Sequence, residues 1–549
     1  MEFNYSYKNN SQVNSQANQT NMSFSPDTKR EPTYFRGELG KSIEFREAIS
    51  ALHDVVVSDL RFKPKDKTAY KEWAAERDKV DLQLLATQRK EIIEQIKPLQ
   101  AELERLYRTQ NQRHAPFNEA RQRFFNYLYE KEREVWFVLD PVITVHPDEV
   151  FFECFSQDEA SYGRLGTSYE VFKNINEFSC GTTNIDYSSA LYNEFQKIRS
   201  YKTTKFEVDP SGFEVKTEGQ EDYKEVKIDL PDSWVRGFLQ VSSAMSLPTT
   251  SFTLHPMDVY NMCFVLRRRK EILGPRSLRY ILKPGEPIKV VFEPWETEVL
   301  CPRSIYQGNT ASTIRVWGRR RILILERLIP VAKQFTVHLL GTGLPSFYVA
   351  DLGNMSFTLG LSGWTANDWS TSGNFDLMAP RADVDDFTKQ RVFAALKENW
   401  AEKPDNLARR LGMDRSVILG ALGAYTQAGR AIYDLNKNVY RVRELSREPL
   451  PMNKLRFANP REESATSFLT QNVVKITNLE QDPSGALNVL GTVKDKSKTY
   501  NNMVSIDKDE RIVKALCDCY WHQQNKLFRG PCEHILALRM QHSRQKVGR

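Results

Sequence analysis

Cys517, Cys519, Cys532 and His534 have the tightest ligand-type spacing in the 549-residue chain: a Cys-x-Cys pair, a gap of twelve residues, then a Cys-x-His pair. Zinc takes thiolate and imidazole ligands tetrahedrally, and two close pairs joined by a loop let a short segment wrap one ion. Three Cys and one His fill every position with protein and leave none for water or substrate. The pattern therefore predicts one structural Zn2+ and no catalytic metal.

The flanks contain the elements needed to hold these ligands. Residues 511–516 alternate as a strand that delivers Cys517, and Gly530-Pro531 is a turn directly before Cys532. Residues 535–540 read as a short helix with Cys532 and His534 in its first turn, where the partial positive charge of the helix start favours a thiolate. His522 is a weaker rival ligand. Zinc binding to finger peptides contributes about 10–16 kcal/mol, so metal loss is expected to unfold the module. With its local wording, Cys-Asp-Cys-Tyr-Trp and Gly-Pro-Cys-Glu-His-Ile-Leu-Ala-Leu, the motif resembles the SWIM zinc finger. That resemblance implies DNA binding or protein interaction and no reaction.

Around this module the sequence predicts an α+β multidomain protein. Residues 1–33, rich in Asn, Ser and Gln, lack the apolar surface to offset ordering entropy and are expected to be a disordered tail. Residues 34–135 form a helical arm: a first helix carrying Phe45, Ile49 and Leu52 runs into an extended stretch at Val55-Val56-Val57. Further on, Leu85, Ile92, Ile96, Leu99, Leu103 and Leu106 step as a coiled coil or an internal helical hairpin, with Pro98 inside the seam. Residues 136–380 alternate short apolar strands with turns, among them a hairpin turn at Asp209-Pro210-Ser211-Gly212, and read as a β-rich mixed scaffold. Residues 386–445 give three helices and a two-stranded hairpin, a winged-helix-like domain. A proline-bearing linker over 446–466 leads to the zinc module at 467–549.

Composition, with 40% hydrophobic and 27% charged residues, is that of a globular protein. No apolar run is long enough for a membrane span, and no secretory pattern opens the sequence. Cys154, Cys180, Cys263 and Cys301 are scattered, unlike a disulfide framework, so a cytoplasmic location is expected. A net charge of +7 is mild for this length, so the placement of the basic residues matters more than their sum.

A winged helix reads DNA by laying its third helix in the major groove while the hairpin touches the backbone. Here that helix offers Arg415 and Ser416 ahead of an apolar, Gly-containing middle, and the hairpin offers Lys437, Arg441 and Arg443 for phosphates. Arg319, Arg320 and Arg321 follow Trp317 in a basic and aromatic cluster of the kind that binds single strands, although a solvated strand end is the plainer reading. Arg529 adds to the basic cast of the zinc module.

Enzyme signals are weak. No P-loop, HExxH or Gly-x-Ser-x-Gly pattern occurs, and His338, Asp351 and Asp368 are the residues to substitute against an enzyme hidden in 136–380. Residues 353–369, with Gly360, Gly363, Trp364, Asn367 and Trp369, are distinctive without an evident chemistry. The stretches 339–348 and 433–445 resemble those of large bacterial SWIM proteins that carry a winged helix ahead of the finger. This likeness implies a partner role beside a MoxR-type AAA ATPase or a von Willebrand A protein. The reading is of a non-enzymatic zinc protein that binds DNA or a protein partner through its C-terminal modules.

Overall fold

The computed structural model describes residues 33–58, 141–208, 232–445 and 460–547, with short interruptions, together with strands at 12–15 and 19–24. The chain divides into two compact units, residues 60–138 and the remainder. The leucine-stepped arm of residues 67–135 and the turn expected at Asp209 lie outside the described residues.

The larger unit, residues 1–59 and 139–549, begins with β1 (Gln12–Ser15), β2 (Gln19–Phe24), β3 (Phe35–Leu39) and α1 (Ser42–Val56). There follow β4 (Val142–Val145), β5 (Glu149–Phe155), β6 (Ser161–Ser168), β7 (Phe172–Lys173), β8 (Gly181–Asn184), β9 (Thr203–Val208) and α2 (Asp232–Met245). Next come β10 (Thr250–Leu254), α3 (Pro256–Arg268), β11 (Leu278–Leu282), β12 (Pro287–Phe292), β13 (Thr297–Ile305), β14 (Ser312–Val316), a 3₁₀ segment (Arg319–Leu328), β15 (Gln334–Leu339), β16 (Ser346–Asp351) and β17 (Met355–Leu361). These strands build an eight-stranded antiparallel sheet, β10-β15-β16-β17-β6-β5-β4-β8, a four-stranded sheet, β13-β12-β11-β14, and a mixed sheet, β1-β2-β9-β3-β7.

Helix α1 shows why the first core forms. Phe45, Ile49, Leu52 and Val56 recur at helical spacing and are buried against β5, β6 and the 3₁₀ segment. Full burial of such side chains contributes roughly 1.5–3 kcal/mol each. Gly163 on β6 makes the close approach possible, since a Cβ there would meet Val55 at 3.0 Å and Leu52 at 3.2 Å.

The C-terminal part contains α4 (Asp386–Asn399), β18 (Ala401–Glu402), α5 (Pro404–Leu411), α6 (Arg415–Gln427), β19 (Ala431–Asp434) and β20 (Val439–Val442), with a three-stranded sheet in the order β18-β20-β19. Asp385 caps α4 by accepting from the Thr388 amide, and Gly412 ends α5 in the left-handed region at φ 64°. Then follow α7 (Pro460–Thr470), β21 (Val474–Gln481), β22 (Leu487–Asp495), β23 (Lys498–Ile506), β24 (Ile512–Cys517), α8 (Tyr520–Asn525) and α9 (Glu533–Val547). Helix α9 lies across the sheet β21-β22-β23-β24. Gly491 leaves it room: a Cβ there would meet Leu538 at 2.4 Å and the Lys475 carbonyl at 2.5 Å.

One apolar cluster runs from Phe155 and Tyr162 through Trp234 and Phe238 of α2 to Leu435, Val489, Cys532 and Ile535. The hairpin, the C-terminal module that carries the Cys and His cluster and the large sheet therefore share a core.

Four local expectations are corrected. The polar tail is not wholly disordered, because β1 and β2 pair and β2 joins β9 in parallel; extending a sheet edge by backbone hydrogen bonds needs no apolar core of its own. Val55 and Val56 close α1 instead of starting an extended stretch, since both are buried on its apolar face. Residues 460–466 of the expected linker are helical, with Pro460 at the start of α7, where its missing N–H costs nothing. Arg319 to Arg321 open the 3₁₀ segment, and Arg319 and Arg321 are buried in it.

Candidate metal centre and its platform

The ligand atoms of Cys517, Cys519, Cys532 and His534 all lie within 4.8 Å of one another, and all four residues are buried. Ligands about 2.0–2.3 Å from one zinc ion stand just under 4 Å apart, so the cluster matches a closed tetrahedral site. His534 turns Nδ1 toward the thiols, 3.9 Å from Cys517 Sγ. Its ring is held between Phe468, stacked at 5.5 Å, and Tyr500 at 4.3 Å.

Each ligand is placed by its own element. Strand β24 ends on Cys517, and Cys519 caps α8 with its sulfur accepting from the His522 amide at 3.3 Å. The Cys519 amide donates to Cys517 Sγ at 3.4 Å. The Cys532 carbonyl accepts from the Leu536 amide, so Cys532 stands at the threshold of α9 and His534 in its first turn. Hydrogen bonds from the Cys517 and Cys532 thiols hold the Cys519 thiol well below its usual range. The same crowding pushes Cys517 up to about 12 and Cys532 further. Binding a metal here means releasing those retained protons. His522 is buried beside Cys519 but lies outside the cluster.

The loop that closes the site rests on the Gly and aromatic stretch whose chemistry sequence left blank. Trp364 stacks on Phe528 with ring centroids 5.4 Å apart and planes within 5°. Asn367 Nδ2 donates to the Phe528 carbonyl at 2.7 Å and its Oδ1 accepts from Arg529 Nε at 3.3 Å. Asn374 Nδ2 donates to the Arg529 carbonyl at 3.3 Å, and Arg461 of α7 donates to the Arg529 and Pro531 carbonyls while lying 3.7 Å over Trp521. Gly530 adopts φ 84°, and a Cβ there would meet the Asn374 carbonyl at 2.5 Å. The density of Gly, Trp and Asn over 360–374 was the available signal; its partner, 160 residues away, was not.

The residues expected to touch nucleic acid are arranged otherwise. Arg441 and Arg443 are fully buried. Arg441 binds Asp148 through both terminal nitrogens at 2.8 and 3.1 Å and Asp434 through Nε at 2.8 Å, and Arg443 pairs with Glu153 at 3.4 Å. Neither reaches a phosphate, because the wing's arginine side turns onto β5 instead of solvent. Lys437 is partly exposed and pairs with Asp148 at 3.1 Å and Glu149 at 3.0 Å. Arg319 donates to the Ser277 and Glu293 carbonyls, Arg320 to the Leu266 carbonyl at 3.0 Å, and Arg321 to Asp158. Arg415 bridges Asp405 and Asp509 at the wall of a cavity of about 260 Å³ shared with Lys403, Tyr433 and Arg511, with Ser416 half-buried beside it. Arg529 serves the loop platform.

His338 Nδ1 meets Ser251 Oγ at 2.9 Å, and burial lowers its pKa to about 4. Asp351 and Asp368 accept from the Gly353 and Ser370 amides. Among the described residues no helix is long and apolar enough to cross a membrane.

No protein-family model matches the chain, and no curated protein matches it. Among solved structures, Proliferating Cellular Nuclear Antigen from Entamoeba histolytica is similar at 9% identity and a TM-score of 0.33, over 60% of this chain and 97% of that one. A second, the C-terminal region of FEN-1 bound to A. fulgidus PCNA, is similar at 10% identity and a TM-score of 0.28, over 42% of this chain and 91% of that one. Likeness at this level assigns neither fold nor function to this chain.

Proposed function

We propose that the chain is a non-enzymatic protein-interaction adaptor, whose SWIM-type finger, stabilised by one zinc ion, and winged-helix-like unit engage a protein partner and not a DNA groove. The observation that carries this reading is the burial of α6. Seven of its thirteen residues are buried, the other six are partly buried, and it packs against α2, α4, α5 and β19, while Arg415 at its start is already paired with Asp405 and Asp509. A groove-reading helix needs an open face with polar side chains. The ion-paired hairpin arginines support the same reading.

Beside the metal centre, apolar side chains face outward. Leu516 is 52% and Tyr520 78% exposed. In the cross-strand register Leu490, Met503 and Leu516 stand directly opposite one another across β22, β23 and β24. A row of this kind on an open sheet face suits a protein contact. The resemblance to bacterial SWIM proteins implies a MoxR-type AAA ATPase or a von Willebrand A protein as the partner.

The test is fluorescence anisotropy of the full-length, zinc-loaded protein with labelled single- and double-stranded DNA across salt. No salt-steep binding is expected. Affinity falling by roughly 10³–10⁵ between 50 and 200 mM salt, the mark of six to ten phosphate contacts, overturns the reading.

A further inference from the structure

Helix α3 has two faces, and the interior accounts for only one. His255 caps it, accepting from the Met257 amide at 3.1 Å, and Pro256 starts it. Val259, Met262, Cys263 and Leu266 are buried against the 3₁₀ segment and β13. On the other side Met257, Tyr260 and Phe264 are 44%, 41% and 43% exposed. Single exposed apolar residues are ordinary. Three at i, i+3 and i+7 form a continuous stripe, the spacing with which one helix packs on another.

The stripe is ordered and has a charged end. The Tyr260 and Phe264 rings lie 6.5 Å apart, and the Arg268 guanidinium sits 4.3 Å over Phe264. Arg268, Arg269 and Lys270 are exposed, and among the described residues none of the three has a carboxylate partner. Their neighbour Arg267 is paired with Glu326, and Arg269 donates to Thr297 and lies over Trp295.

We propose that this face of α3 docks an acidic amphipathic helix of a partner protein, whose apolar side covers Met257, Tyr260 and Phe264 and whose carboxylates meet Arg268, Arg269 and Lys270. The eight residues from Met257 to Phe264 span about 10 Å, two turns of a partner helix. The cations cluster at one end, whereas a nucleic-acid strand needs phosphate contacts along its track. The surface lies in the β-rich region and stands whether or not the zinc module engages a partner.

The experiment uses the full-length, zinc-loaded protein and four labelled probes: an amphipathic peptide of leucines and glutamates at helical spacing, its lysine counterpart, phosphatidylserine vesicles and a single-stranded oligonucleotide. The glutamate peptide is expected to bind. Tyr260→Ser with Phe264→Ser weakens it about tenfold or more, the scale of interface hot spots. Arg268→Glu, Arg269→Glu and Lys270→Glu together abolish its binding and admit the lysine peptide, a gain that misfolding cannot produce. Equal binding of both peptides by the unsubstituted protein, no peptide binding, binding unchanged by the substitutions, or vesicles or oligonucleotide bound through these residues in place of the peptide each overturns the proposal.

Discussion

The metal centre and the ionic seam between the β19–β20 hairpin and β5 both bury charge-bearing groups, yet they are assembled in opposite ways. In the candidate metal centre Cys517 and His534 are 17 residues apart, and three thiols and an imidazole are gathered where they could hold a metal ion. In the seam Arg441 and Asp148 are 293 residues apart, and Arg164, Lys437, Arg441 and Arg443 face Asp148, Glu149, Glu153 and Asp434. The first is a local cluster whose donor set suits a ligand from outside. The second is a long-range contact that neutralises itself. Charge of the same kind on a hairpin therefore says nothing about partners until the strand facing it is known.

Metal removal should separate the two regions most sharply. Zinc binding worth about 10–16 kcal/mol in isolated fingers is coupled to folding of the loop that carries the ligands. Chelation, or Cys532→Ser, is expected to open residues 517–534 and expose Lys526 and Arg529 to trypsin. The sheet of β21 to β23, packed under α9 and joined to the core it shares with α2 and the large sheet, should stay protected longer, which narrows the whole-module unfolding expected from sequence. If those two sites stay as resistant without metal as with it, the four residues are not a structural zinc site.

The seam should respond less and by another route. Arg441→Met takes the guanidinium from the half-exposed Asp148 and the buried Asp434, and breaking the buried Arg441–Asp434 pair costs about 3–5 kcal/mol. Urea unfolding of the full chain measures it. Adding Asp434→Asn should recover part of the loss, because the destabilisation comes from the orphaned charge. A single substitution that costs under about 1 kcal/mol would rank the seam with ordinary surface pairs.

The same contrast explains what the sequence made legible. Four ligands within eighteen positions, the strand into Cys517, the helix out of Cys532 and the three helices with a hairpin all follow from local spacing and periodicity. Helices α2 and α3 are hidden between β-rich neighbours, since their apolar positions are mixed with Ser, Gln and Asn. The platform of Trp364, Asn367 and Asn374 under the metal loop depends on pairings across about 160 residues, which no periodicity encodes. Arg441 and Arg443 misled for that reason: only the fold puts Asp148 and Glu153 opposite them.

Acid should produce the smallest and most selective effect. Burial works against the Asp148 carboxylate, but hydrogen bonds from His146 and Arg441 and the charges of Arg441 and Lys437 outweigh it and hold its pKa well below the usual range. Asp434 is likewise lowered, with burial opposed by the Arg164 and Arg441 charges. A carboxyl whose pKa is lower in the folded than in the unfolded chain adds stability above its unfolded value, about 3.9 for Asp, and loses it as pH falls below that value. Stability followed by urea unfolding from pH 7 down to about pH 3 should therefore drop more steeply in the unsubstituted protein than in Arg441→Met, which has already lost the one partner that both carboxylates share. Parallel slopes in the two proteins would show that Arg441 does not hold these carboxylates ionised, and the seam would then owe its strength to packing more than to charge.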